Sequence, residues 1–186
     1  MAILSLSRLE LVLRHLGITR TQLLALADPA TKLRTILRRQ ARIDHLTAQI
    51  DRIETHIGET VGWPRLTIDF EYDLVTVSTP AMTLRLVEEG RLSAETGASI
   101  NEELRQRLRS WNEATRAAGL PQLRHREGHL IRLQDKSLHA LLMRSSTLPS
   151  AIPARLIILI AMMEPGEIAD RSMAIAADLL RGFFDA

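Results

Sequence analysis

The feature that most constrains this chain is a narrow apolar seam. Ile36, Ile43, Leu46, Ile50, Ile53 and Ile57 recur at spacings of seven, three, four, three and four residues, the a/d rhythm of a helix that packs along one edge. Arg39 takes the d position between Ile36 and Ile43, so the register has one polar interruption. A helix lying on its own domain core carries a wider apolar face than two positions in seven. The seam therefore predicts a coiled-coil dimerisation helix over 31–58, with a second copy of the chain as partner. A purely structural or adaptor protein, whose helix binds a different protein, is the alternative.

Two short helices are expected ahead of it. Ser7 with Glu10 and Thr19 with Gln22 have capping-box spacing, and Gly17 stops the first helix. Asp28 followed by Pro29 reads as the start of the long one, since aspartate caps and proline suits the first turn. The 186 residues, 46% of them apolar, suffice for a packed core. With no cysteine, a disulfide framework, a thiolate metal site and a cysteine nucleophile are all excluded. The longest apolar run, LIILIAMM at 156–163, falls far short of the roughly 20 residues of a membrane helix, and charges interrupt the apolar N-terminus. The expectation is a soluble, cytoplasmic protein with no membrane partner.

Charge is unevenly placed. Residues 1–57 carry nine Lys or Arg against five Asp or Glu, and Lys32, Arg34, Arg38, Arg39 and Arg42 occur with no acid among them until Asp44. Such a cluster is either a solvated helix face or a footprint for phosphates.

The stretch from Arg8 to Ile57 resembles the second half of a MerR-family regulator, running from the end of its DNA-binding domain into its dimerisation helix. The residues that carry the likeness are Arg8, Leu9, Val12, Leu13 and Arg14, then Leu16 to Thr19, then Leu23, Leu26 and the Asp28–Pro29 pair. Arg20 departs from the pattern, which has an apolar residue there. The resemblance implies an antiparallel pair of long helices holding a homodimer. Only seven residues precede Arg8, too few for the family's winged helix-turn-helix, so the expectation is weak or no direct DNA binding and no sequence recognition.

Beyond Gly58 the texture changes. Leu66, Ile68, Phe70, Tyr72 and Leu74 alternate with Thr67, Asp69, Glu71 and Asp73, the period of a half-buried strand. Val75 and Val77 fall out of phase, which calls for a bulge, a break or a second strand. MTLRLVEEG at 82–90 and HLIRLQD at 129–135 read as further strands. Between them Ser99 and Glu102 open a helix with Ile100, Leu104, Leu108 and Trp111 on its apolar face, ended by Gly119 and Pro121. The last fifty residues read as mostly helical, with interruptions at Pro149, Pro153 and Pro165. This order is similar to the GyrI-like effector domain of some MerR regulators, a resemblance that implies binding of a small cationic or aromatic molecule.

Candidate chemistry is sparse. His125 and His129 have metal-ligand spacing if helical, but Gly128 suggests a turn, and no third ligand is evident. The row Asp69, Glu71, Asp73 lacks the glycine and closing glutamate of a calcium loop. No phosphate loop or nucleophile elbow is present, so the chain reads as a non-enzyme without metal or cofactor. A cationic aromatic ligand needs an apolar wall and one carboxylate, which points to Tyr72 and Trp111 with Glu71 or Glu88.

The expected architecture is α+β and mostly helical: short N-terminal helices leading into the long helix, then a small sheet with packed helices. The expected division is a helical head over 1–30, the coiled-coil helix over 31–58 and an effector-binding-like domain over 59–186.

Overall fold

The first turns form where capping groups allow them. In the computed structural model, which describes residues 4–27, 32–70, 73–143 and 151–162, α1 spans Leu6–His15 with Ser5 as its N-cap. The Ser5 hydroxyl meets Ser7 Oγ at 2.8 Å, so Ser7 is already inside the helix and the Ser7/Glu10 box is not formed. Gly17, at φ 66°, turns the chain out of α1. Then Thr19 and Gln22 exchange the predicted capping box at the head of α2, Arg20–Leu26. The Asp28–Pro29 pair lies outside the described residues. The long helix α3 runs Leu33–Val61 over 29 residues, entered through Lys32 at φ 52° and left through Gly62 at φ 88°. It thus continues past Gly58.

The alternating row at 66–74 resolves into a hairpin. β1, Leu66–Phe70, pairs antiparallel with β2, Asp73–Val77, in a register that sets Leu66 opposite Val77, Ile68 opposite Val75 and Phe70 opposite Asp73. Opposed residues share a face. Even-numbered apolar residues of β1 therefore join odd-numbered ones of β2, which is why Val75 and Val77 fall out of phase in the sequence. Leu74 faces the other way and is exposed.

The stretches expected as further strands are helical. Thr79 caps α4, Pro80–Glu88, by accepting from Met82 N, and Pro80 fills the first helical position. Ser93, not Ser99, caps α5, Ala94–Ala117, so Ser99 and Glu102 stand within the helix. Gly119, at φ 68°, ends α5 as read, but α6, Leu120–Met143, begins at once and carries residues 129–135 in its middle. Finally α7 spans Ala151–Met162 with Pro153 in its first turn, where no intrahelical N–H is lost. Pro149 and Pro165 lie outside the described residues. The described residues thus hold seven helices and one two-stranded sheet, an α+β fold that is mostly helical. None of these helices is long and apolar enough to cross a membrane.

By internal packing the chain divides into two compact units, Met1–Leu46 with Glu127–Ala186, and Thr47–Arg126. Both boundaries fall within helices, α3 and α6, whereas the sequence places its divisions at 30/31 and 58/59. In the first unit, Leu9, Val12 and Leu13 of α1 join Leu23 of α2, Ile36 and Leu37 of α3, Leu138 and Leu141 of α6, and Ile157 and Ile158 of α7 in one buried cluster. Here Arg39 is drawn inward and donates to Leu133 O at 3.0 Å and to Ser137 Oγ at 2.7 Å. The polar break in the seam is thus a tie between α3 and α6. Gln134 Nε2 adds a second tie, donating to Ile36 O at 3.1 Å and to Gln40 Oε1 at 3.2 Å. In the second unit, Val77, Leu86 and Leu104 are buried, with Leu66, Ile68, Phe70, Val75, Leu92 and Ile100 packed around them.

The seam itself is covered within one chain. Ile36, Ile43, Ile50 and Ile57 are 1%, 5%, 6% and 5% exposed, and Leu46 and Ile53 are half-buried. Within one chain, then, only Leu46 and Ile53 of the stripe keep part of their surface open.

Candidate functional site

The second unit contains an open groove of about 520 Å³, within the range of small-molecule sites. It lies at the elbow between α5 and α6. Ala118 closes α5 in the right-handed helical region, Gly119 takes the left-handed conformation that a non-glycine residue resists, and Leu120, 1% exposed, anchors the start of α6. The groove is lined by Trp111, Asn112, Thr115 and Arg116 from the α5 side and by Leu120, Pro121, Arg124 and His125 of α6.

One wall is aromatic and rigidly backed. The Trp111 ring stacks on Trp63 at 5.1 Å between centroids and 29° between planes, and Arg65 lies over the far ring at 5.4 Å. Arg107 holds this segment by donating to Arg65 O at 3.0 Å while pairing with Glu103 at 2.8 Å. Trp63 reaches its place because Gly58 has no side chain: a Cβ there would stand 2.7 Å from the indole Cζ2. The glycine that reads as a helix stop is instead the notch in α3 that admits the ring.

The other wall is cationic. Arg124 donates through Nε at 3.1 Å and through Nη2 to Glu54 Oε1 of α3, an exchange that fixes its guanidinium at the groove edge. Arg116 and His125 are exposed, and neither has a carboxylate partner among the described residues. Thr115 Oγ1 is committed to Asn112 O at 3.0 Å. No carboxylate lines the groove. An aromatic face beside three basic side chains suits a planar anion, which stacks on the indole while a guanidinium takes its carboxylate.

Of the residues singled out in the sequence for a ligand, Trp111 is in this groove. Glu88, exposed at the end of α4, is not part of it, and Glu71 and Tyr72 lie outside the described residues. His125 and His129 both stand in α6, on helix and not on a turn, and no group of three His, Cys, Asp or Glu able to hold a metal occurs among the described residues. Asp69 is exposed on β1, and Asp73 on β2 pairs with Arg91 at 3.4 Å. Arg116, Arg124 and the elbow were missed. Their signal was Gly119-Leu120-Pro121, a helix stop followed immediately by a proline in a first turn, which marks two helices in direct succession. Compared with models of protein families, with curated proteins and with solved structures, the chain matches none.

Proposed function

We propose that this chain is a ligand-responsive regulatory protein, MerR-like in its sequence of short, short and long helices, whose effector is a small planar anion held at the α5–α6 elbow. The observation that carries the ligand is the groove itself: Trp111, backed by Trp63, lines it together with Arg116, Arg124 and His125, and no acid is among its lining residues. The same charge pattern favours an aryl carboxylate over a cation, one of the two ligand kinds that the GyrI-like resemblance implies, because Arg116 and His125 have no carboxylate partner among the described residues and the Glu54 carboxylate is already committed to Arg124. Binding rather than turnover is the proposed chemistry. The regulatory part of the reading rests on the MerR-like resemblance of residues 8–57.

A thermal-shift panel of aryl carboxylates and cationic dyes tests this. An anion at 100 times its dissociation constant stabilises a single-site protein by about 2.7 kcal/mol. Anions are expected to raise the melting temperature and cationic dyes not to, with the shift abolished in Arg116→Ala and Trp111→Ala. A response to cations alone, or none to any anion, overturns the proposed effector class.

A further inference from the structure

The basic cluster of α3 is divided by the fold. Arg39 is turned inward, bonded to Leu133 O and Ser137 Oγ, while Arg34, Arg38 and Arg42 remain exposed. Helical geometry places these three, with exposed His45, within an arc of about 80° and along about 16 Å of the helix. No acid falls within that arc from 34 to 45: the one acid of the segment, Asp44, lies about 100° away from His45 and accepts from Gln40 Nε2 at 2.8 Å. Among the described residues none of the three arginines makes an ion pair. The result is an uncompensated ridge of guanidinium groups on the first unit.

We infer that this ridge binds the phosphate backbone of nucleic acid without regard to sequence. Three features favour that occupant over an anionic membrane. The cations are all arginine, whose fork matches phosphate oxygens bidentately. A helix that binds a bilayer must also insert an apolar face, and the apolar face of α3 at Ile36 and Ile43 is already buried in the chain. A rigid row of charges fits a polymer carrying about one charge per 1.7 Å of duplex axis. Base reading is not expected, since phosphate contacts carry no sequence information.

The test is fluorescence anisotropy with a labelled duplex of arbitrary sequence, alongside its scrambled counterpart and phosphatidylserine vesicles, titrated from about 50 to 200 mM salt. Expected are equal affinities for both duplexes and a log–log salt slope near −3, about 0.9 for each of three or four phosphates. Replacing Arg34, Arg38 and Arg42 together by Gln, on an exposed face where circular dichroism should be unchanged, removes nearly all of that slope and lowers affinity at least tenfold at the low-salt end. Arg105→Gln, Arg109→Gln and Arg126→Gln together remove the same charge elsewhere and should cost less than threefold. No duplex binding at 50 mM salt, equal losses in the two triple variants, or capture by vesicles but not by duplex each overturns the inference.

Discussion

Gly58 sets two opposing effects against each other. Alanine is favoured over glycine inside a helix by about 0.8–1.0 kcal/mol, yet a Cβ at position 58 occupies the space of the Trp63 indole. Since Trp63 is 39% exposed, the ring has somewhere to go, and its stacking with Trp111 contributes about 0.5–1.5 kcal/mol. Gly58→Ala should therefore leave global stability within about 1 kcal/mol of wild type while changing tryptophan emission and near-ultraviolet dichroism, because the chain has two tryptophans and both belong to this stack. Unchanged spectra would falsify the notch. The buried pair Gln40 and Gln134 behaves differently. Gln134→Leu strips Gln40 Oε1 of its donor, and a buried amide left unpaired costs about 1–3 kcal/mol. Adding Gln40→Leu removes the orphan, so urea denaturation of the double variant should show a smaller loss than the two single losses added together.

Among the elements, α4 and α5 meet at Gly97, where an added Cβ would stand 2.6 Å from Val87 Cγ2 and 3.6 Å from Thr83 Cγ2. Val87 has a short, β-branched side chain that cannot swing aside. Gly97→Ala should thus cost about 1–3 kcal/mol despite alanine's better helix propensity, and Val87→Ala in the same chain should recover part of it. Two losses that simply add would show that the helices do not meet there. Some helix ends were legible from local capping chemistry: Thr19 with Gln22, Gly17 and Gly119 act as read, whereas Ser7 with Glu10 and Ser99 with Glu102 share the spacing but stand inside helices, and α3 runs through Gly58. Element type failed where short apolar runs fit both periods. In 82–90, Met82, Leu84 and Leu86 alternate like a strand, but Thr83 and Leu86 are the buried pair, and Thr79-Pro80 was the deciding signal. In 129–135 no such signal stands nearby, because the helix begins nine residues upstream, at Leu120. The groove was half legible: Trp111 was found from its aromatic chemistry, while Arg116 and Arg124 come together only once the elbow is known.

For the whole molecule, the apolar seam was read in the right place, and within one chain Ile36, Ile43, Ile50 and Ile57 are buried. Spacing identifies an apolar edge but not what covers it, and the ties from Arg39 and Gln134 have no mark in the sequence. Because Ile50 is 6% exposed within a single chain, Ile50→Asp buries a charge without a partner and should cost about 3–5 kcal/mol. The urea midpoint of the wild type should also be independent of protein concentration, whereas stability that depends on a paired seam rises with it. A midpoint that climbs over a hundredfold range of concentration returns the seam to a dimer.

Both tryptophans lie in Thr47–Arg126, and the unit formed by Met1–Leu46 with Glu127–Ala186 contains none. Their emission therefore follows the melting of one unit alone, while far-ultraviolet ellipticity follows helices in both. Because α3 and α6 run through the two boundaries, neither unit can lose its part of these two helices without fraying the part that belongs to the other. The two signals should accordingly trace one coincident transition, the mark of all-or-none cooperativity in a chain with two cores.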